Sequence, residues 1–285
     1  MASATSRCRK GRGQKHSSKF FIYLILSLIA LTVIVPFLWA LLTSFKLESE
    51  IMQYPPTLIP QEWTLEQYQT IAEEIPFLRI LGNTAVFSCL VVLFQLLFDS
   101  ATAYALAKIE IPGRRIILFI IISTLMVPPQ ITLIPLYMIL NQLDLLNKLQ
   151  GLIIPRATSA FGIFLLVQFF KSIPNDFVDA ARIDGASEFQ VLFKVMLPMA
   201  KPALATISVI SFMANWNDFL WPLMVMQKFD NMTLPVALAL FRGQHNVQYG
   251  MAMAGSIISI IPVIILFCFA QRYFVEGAVM SGLKG

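Results

Sequence analysis

Six long apolar segments divide this chain of 285 residues and constrain its fold more than any other feature. A helix of about 20 apolar residues crosses a hydrocarbon core about 30 Å thick, because it satisfies its own backbone N–H and C=O groups. With 13% charged residues, the chain also lacks the charge of a soluble domain, which is about 25%. We therefore predict an all-α membrane protein with six transmembrane helices. The predicted spans are residues 20–42, 81–107, 116–140, 152–170, 203–226 and 251–270.

The basic residues predict the orientation of these spans. Residues 1–19 hold six Lys and Arg, and the apolar segment that follows is too long for a secretory signal. If this basic segment stays in the cytoplasm, the segments on that side hold 15 Lys and Arg against six on the other, as the positive-inside rule requires. We expect both termini to be cytoplasmic and the basic membrane-edge residues to contact anionic lipid.

Several function classes lack support in the sequence. The three cysteines and two histidines are isolated, so no disulfide framework and no metal site is predicted. The net charge of +5 is dispersed without interleaved aromatic residues, which argues against nucleic acid as a partner. No phosphate-binding loop is present, and no single segment holds a nucleophile together with a base and an orienting group. We expect no enzyme activity, no catalytic residue and no cofactor bound by this chain.

Asp99 is an acidic residue deep in the second predicted span, roughly 12 Å from its end. A lone carboxylate there faces a water-filled cavity, pairs with a basic group on another helix, or stays protonated. A functional role and a structural hydrogen bond both remain open. If the role is functional, Asp99 is the coupling carboxylate of an ion-driven secondary carrier, which is our alternative function.

Prolines interrupt the third predicted span. Pro128, Pro129 and Pro135 remove backbone donors, so the helix should bend or break near its middle. Broken helices tend to line cavities, and we predict that Gln130, beside the break, lies on a substrate path. A kink that serves packing alone is the alternative.

A polar cluster lies near the outer end of the fifth predicted span. Asn215, Asn217 and Asp218 stand beside Trp216 and Trp221. Amides and a carboxylate provide hydrogen bonds, and indole rings provide stacking surfaces, which are the contacts that sugars need. We predict that Asn215, Asn217 and Asp218 line the substrate path. The alternative is an aromatic belt at the membrane interface.

The segment between the fourth and fifth predicted spans is predicted to form two short helices. Asn175 is placed to cap the first helix, and Gly185 supplies a left-handed stop. Residues 187–190 match a capping box for the second helix, which Pro198 should end. The first helix presents alanines on one face, which favours close approach of a partner's groove. A helix that lies on lipid headgroups is the alternative.

This segment resembles the EAA loop of permease subunits from ATP-binding-cassette (ABC) importers. That loop reads Glu-Ala-Ala, three residues, Gly, nine residues, Ile, one residue and Leu-Pro. The chain keeps the spacing, with Asp179 in place of the Glu and Val195 in place of the Ile. The resemblance implies two coupling helices that seat in a groove of an ATPase subunit. The residues implied to contact the ATPase are Asp179, Ala180, Ala181, Gly185, Leu197 and Pro198.

Other stretches are similar to the carbohydrate-importer branch of this family. They are residues 103–107, 111–115, 126–128, 134–137, 159–162, 168–170, 216–222 and 271–277. The resemblance implies a type I ABC importer permease fold in the bacterial or archaeal cytoplasmic (inner) membrane. It implies that the chain forms half of a translocation pathway for a sugar or a related polyol.

The same resemblance implies partners and a division of the chain. The implied partners are a second permease subunit, two ABC ATPase subunits that bind ATP and Mg, and a periplasmic or lipid-anchored sugar-binding protein that faces residues 227–250. The implied parts are a basic cytoplasmic tail (1–19), an anchor helix (20–42), a periplasmic loop (43–78), the permease transmembrane core (79–271) and a cytoplasmic C-terminal tail (272–285). The particular sugar does not follow from the sequence.

Overall fold

The computed structural model describes residues 11–74, 76–244 and 249–282, which contain helices and turns and no strand. Residues 1–10 and 283–285 of the predicted tails and residues 245–248 of the predicted binding-protein face lie outside this description. The α-helices are, in chain order, α1 (Gly11–Thr43), α2 (Glu48–Ile51), α3 (Glu66–Glu74), α4 (Phe77–Lys108), α5 (Arg114–Ser123), α6 (Pro129–Gln142), α7 (Leu149–Ile153), α8 (Ala160–Ser172), α9 (Asp176–Ile183), α10 (Glu188–Val191), α11 (Leu197–Met199), α12 (Lys201–Trp216), α13 (Leu220–Val225), α14 (Leu234–Gln244) and α15 (Tyr249–Gly282).

Within the described residues, three helical segments are long and apolar enough to cross a membrane unbroken, namely Lys19–Thr43, Phe77–Lys108 and Tyr249–Phe269. Three pairs of helices reach that length only together, with bends of 98°, 41° and 82° between their members. The pairs are Arg114–Met126 with Pro129–Gln142, Leu149–Arg156 with Ala160–Ser172, and Glu188–Met199 with Lys201–Trp216. If each pair is one span, the chain has six, which agrees with the predicted all-α fold.

The bend in the third span lies where the prolines predict it. A 3₁₀ turn at Thr124–Met126 ends the first half, and α6 begins at Pro129. Proline is suited to the first turn of a helix, because the N–H that it lacks has no partner within the helix there.

Two of the predicted spans are wrong as continuous helices. The fourth, residues 152–170, breaks between the 3₁₀ turn Ile154–Arg156 and α8. The fifth, residues 203–226, ends at Trp216 and resumes as the separate helix α13. Pro222 explains the second break, because a proline ring clashes with the carbonyl four residues earlier in a continuing helix. Pro155 lies within the 3₁₀ turn that precedes the first break.

Residues 72–247 and 258–285 form one compact unit, in which α4 packs along α8 and α12. Fully buried side chains along these helices include Phe87, Val91 and Leu166. The buried surface continues past the end of α4 into the segment that resembles the EAA loop. This extension is the part of the fold that positions the candidate site.

Residues 1–71 and 248–257 form the other unit. The side chains of residues 19–39 on α1 are exposed, as lipid contact by an anchor helix requires. Within the predicted loop that follows, Lys46 and Glu50 form a buried ion pair at 3.9 Å. Glu50 also accepts a hydrogen bond of 2.6 Å from the Thr57 hydroxyl and one from the Gln61 N–H. The Thr57 bond is the main cause that lowers the pKa of Glu50 below its ordinary value of 4.5.

Candidate functional site

The segment that resembles the EAA loop forms an elbow, which we define as residues 176–199. Its first helix, α9, ends before Gly185, whose φ of +81° is the predicted left-handed stop. The second helix begins at Glu188 with the predicted capping box, in which Ser187 and Gln190 each accept a hydrogen bond from the other's backbone N–H.

Two details of the elbow differ from the sequence prediction. Asn175 makes no side-chain cap; its Oδ1 instead accepts a hydrogen bond of 2.7 Å from Lys108 Nζ. Pro198 does not end the second helix, which continues through α11 to Met199. A π-helical turn at Leu192–Met196 precedes the proline. Such a turn is wider than the α-helix, which makes room for a proline ring.

The elbow packs against the transmembrane core through buried apolar side chains. Val178, Val191 and Met196 of the elbow are each at most 1% exposed and belong to one cluster with Tyr104 of α4 and Phe170 of α8. Burying a side chain of this size stabilises the fold by about 1.5 to 3 kcal/mol. The elbow is therefore a fixed extension of α4 and α8.

Polar contacts reinforce this attachment. The Tyr104 hydroxyl donates a hydrogen bond of 2.5 Å to Glu188 Oε2, and Arg182 donates to both oxygens of Glu188 at 2.9 and 3.1 Å. Arg182 also lies 3.5 Å from the Asp179 carboxylate. Lys108 Nζ donates to the backbone carbonyl of Ile173 at 2.6 Å. Sequence reasoning missed Glu188, Arg182 and Tyr104; the spacing of Asp179 and Arg182 on one helix was the available signal.

The tip of the elbow exposes apolar side chains. Phe177 is 49% exposed, Ile183 86% and Phe189 73%. Of the residues implied to contact an ATPase, Asp179, Ala180, Gly185 and Pro198 are exposed, and Ala181 and Leu197 are partly buried against the elbow's own core. The exposed surface combines these three apolar side chains with charged ones such as Asp179 and Arg182, which suits insertion into a complementary groove.

Asp99 is fully buried and bound by neutral donors. Its Oδ1 accepts a hydrogen bond of 2.8 Å from the Thr158 hydroxyl and one of 3.0 Å from the Ser159 N–H. No basic group of the described residues lies within ion-pair distance of it. Gly162 lies so close that a Cβ there would stand 2.3 Å from Asp99 Oδ2. Asp99 on α4 is thus hydrogen-bonded to the segment that precedes α8.

A cavity of about 360 Å³, here named the Asn215 cavity, lies between α8 and α12. It is lined by Gln95, Arg156 and Asn215 among others, and Arg156 Nη1 donates to Asn215 Oδ1 at 3.2 Å. Arg156 also forms an ion pair of 2.5 Å with Asp218. Arg156 was not predicted; a lone arginine inside an apolar segment was the signal.

The structure brings together only part of the predicted substrate path. Asn215 and Asp218 meet at Arg156, whereas Gln130 is exposed on α6 and Asn217 is exposed with its amide bonded to the Met213 carbonyl. Trp216 and Trp221 are 2% exposed, and their indole N–H groups donate to backbone carbonyls. Neither ring is open for stacking or for an interfacial belt in this conformation.

Six helical spans, a core-packed elbow with EAA spacing and a polar cavity between helices define the architecture of an ABC importer permease. Residues 100–277 match the family described as the binding-protein-dependent transport system inner membrane component. The chain belongs to this family. It is accordingly a multi-pass protein of the inner membrane and the membrane-spanning component of a transport system that depends on a binding protein.

Similar proteins span nearly the whole chain. The arabinooligosaccharides transport system permease protein AraQ of Halalkalibacterium halodurans is 36% identical, over 90% of this chain and 93% of that protein. The trehalose/maltose transport system permease protein MalG of Thermococcus litoralis is 33% identical, over 90% of this chain and 94% of that protein. A chain of the crystal structure of a bacterial ABC transporter involved in the import of the acidic polysaccharide alginate is 29% identical, with a TM-score of 0.80 over 96% of this chain and 100% of that chain.

Proposed function

We propose that this chain is the permease subunit of an ATP-driven importer of sugars or related polyols and forms half of the translocation pathway. The relatives named for arabinooligosaccharides and for trehalose/maltose support the substrate class, since each aligns over 90% of this chain. The proposed partners are a second permease subunit, two ABC ATPase subunits and a periplasmic or lipid-anchored sugar-binding protein. The ATPases bind ATP and Mg, and this chain binds no cofactor.

The observation that carries the proposal is an exposed apolar tip on an elbow that is fixed to the core. Ile183 and Phe189 face solvent in the single chain, at 86% and 73% exposed, although apolar side chains of this size favour burial. We propose that a groove of one ATPase subunit covers this tip. When the two ATPase subunits close on each other, the elbow would move, and α4 and α8 would move with it. The elbow then faces the cytoplasm together with both termini, and residues 227–250 face the binding protein.

The proposed substrate path includes Asn215 and Asp218, with Arg156 between them. Gln130 and Asn217 stand outside the Asn215 cavity, so their predicted role belongs to another conformation of the transport cycle. Hydrogen bonds from Thr158 and Ser159 support a structural role for Asp99 and weigh against the alternative function, an ion-coupled secondary carrier.

Ala180→Glu tests the coupling assignment, because Ala180 is exposed on the elbow and a charge there spoils an apolar contact without disturbing the core. We expect the variant to reach the membrane, to lose the ATPase on purification and to lose ATP-dependent sugar uptake in reconstituted vesicles. Ala72→Glu is the matched control, since Ala72 is also exposed but lies on α3. Wild-type uptake by Ala180→Glu, or uptake driven by an ion gradient without ATP, would contradict the proposal.

Asp218→Asn tests the substrate path. It removes the charge paired with Arg156 and leaves the arginine free to contact substrate or a new partner. We expect the sugar concentration for half-maximal uptake to change about tenfold, as for the loss of one charged hydrogen bond. Asp144→Asn is the control, because Asp144 is exposed with a φ of +52° that asparagine also adopts. An unchanged half-saturation value would remove Asp218 from the path.

A further inference from the structure

A second cavity, of about 350 Å³, opens beside the root of the elbow and is here named the basic cavity. Its lining includes Lys108 at the end of α4, Arg114 and Arg115 at the start of α5, and Lys171 at the end of α8. Asn175 supplies a neutral amide, and no acidic side chain contributes to the lining. Four cationic side chains therefore converge on one small volume.

The described residues leave these four charges without an ionic partner. None of them forms an ion pair within 4 Å of an acidic group. Lys108 donates to neutral oxygens of Ile173 and Asn175. Asp179 is the carboxylate that acts on Lys108 from a distance, and it already lies 3.5 Å from Arg182. Like charges held together without anions repel one another, so this cavity favours an anionic occupant.

The surface next to the basic cavity is apolar. Ile116, Phe119 and Ile120 of α5 are 66%, 71% and 59% exposed, and they continue along the helix from Arg114 and Arg115. Because α5 belongs to the third candidate membrane span, these exposed apolar side chains are suited to contact with lipid. The occupant that matches both surfaces carries an anionic group at one end and hydrocarbon chains at the other.

We propose that the basic cavity binds the phosphate group of an anionic phospholipid whose acyl chains lie along α5. Basic pockets at the cytoplasmic ends of membrane helices are suited to such headgroups. A lipid bound there contacts α4, α5 and α8 at the point where Lys108 supports the elbow. This inference concerns a lipid site and stands whether or not the transported substrate is a sugar.

Native mass spectrometry of the full-length, delipidated protein with added phosphatidylglycerol tests the proposal. We compare wild type with the double variant Arg115→Gln/Lys171→Gln, whose residues are exposed and whose loss should not disturb the fold. Removal of two membrane-edge charges should weaken phosphatidylglycerol binding about 30-fold. The matched control is Lys194→Gln/Lys201→Gln, which removes the same charge from exposed positions outside the cavity and should bind as wild type does.

Four outcomes would overturn the proposal. They are equal binding by wild type and the cavity variant, an equal loss in the control variant, equal binding of zwitterionic phosphatidylethanolamine, and displacement of the lipid by millimolar inorganic phosphate. The last outcome would assign the cavity to a soluble anion. Thermal unfolding of each variant at the wild-type temperature verifies that the comparison is made between folded proteins.

Discussion

At the scale of single residues, two acidic side chains of the transmembrane core have different surroundings. Asp218 pairs with the guanidinium of Arg156, whereas the hydrogen bonds that Asp99 accepts from described residues come from Thr158 and Ser159. A neutral donor can form a hydrogen bond to the side-chain oxygen of an amide as well as to an oxygen of a carboxylate. The two hydrogen bonds therefore require an acceptor at the position of Asp99 Oδ1, but they do not require the negative charge of the carboxylate.

Asp99→Asn and Asp99→Ala separate these requirements. We expect Asp99→Asn to keep ATP-driven uptake, because the amide oxygen still accepts both bonds. Asp99→Ala should lower the free energy of unfolding by about 1 to 3 kcal/mol, because it leaves two donors without an acceptor. Reconstituted uptake and thermal unfolding measure the two effects. Loss of uphill transport by a stably folded Asp99→Asn would instead favour ion coupling.

At the scale of the helices, the elbow depends on Tyr104, which reaches from α4 to Glu188. Tyr104 is 3% exposed, and Glu188 joins it to Arg182 on α9. This chain of contacts links both helices of the elbow to one transmembrane helix. Motion of the elbow is therefore transmitted to α4 through a polar contact as well as through apolar packing.

Tyr104→Phe removes the hydroxyl and keeps the ring. We expect it to retain ATPase binding, to lower the free energy of unfolding by about 1 kcal/mol, and to reduce the amount of sugar moved per ATP hydrolysed. The expected loss of stability is small because the Glu188 side chain is 45% exposed to solvent. Parallel assays of uptake and ATP hydrolysis measure the ratio. Tyr54→Phe, at a residue 93% exposed, is the control, and an unchanged ratio for Tyr104→Phe would contradict the role.

The helices also show which parts of the site a sequence can predict. The Gly185 stop, the Ser187 capping box and the break at Pro128–Pro129 follow from short-range rules, and all three are present. The pairing of Arg156 with Asp218 joins residues far apart in the chain and depends on how α8 and α12 pack. The Asn175 cap was wrong because Lys108, from another helix, binds the amide.

At the scale of the whole molecule, the segment between α1 and α4 contains more structure than the predicted periplasmic loop suggests. In the unit formed by residues 1–71 and 248–257, the Glu48 carboxylate accepts hydrogen bonds from the N–H groups of Tyr249 and Gly250 at 2.9 and 3.0 Å. Lys46 and Glu50 are 3% and 8% exposed. The sequence predicted a loop because this segment has low hydropathy. Contacts between residues far apart in the chain produce no periodic pattern in the sequence, so they could not be predicted from it.

The Glu50 contacts predict a pH dependence of this unit. Hydrogen bonding, mainly from Thr57, lowers the pKa of Glu50, so its contribution to stability is complete above the ordinary value of 4.5 and is lost as the pH falls through the lower folded value. We expect amide-exchange protection of residues 43–71 to hold from neutral pH to about 5 and to fall in more acidic buffer. Glu50→Gln should flatten this dependence, and Glu66→Gln should keep it. A profile that Glu50→Gln leaves unchanged would contradict the assignment.

One residue, Ala200, separates the elbow from α12, and the two meet at a bend of 82°. Because a single residue connects the two helices, a change in the tilt of α11 also changes the tilt of α12. The 16 residues of α12 span about 24 Å, so a tilt of about 5° displaces the Trp216 end by about 2 Å. A displacement of this size is comparable to the radius of a water molecule. α12 is thus long enough that a small movement at the elbow alters the width of the Asn215 cavity.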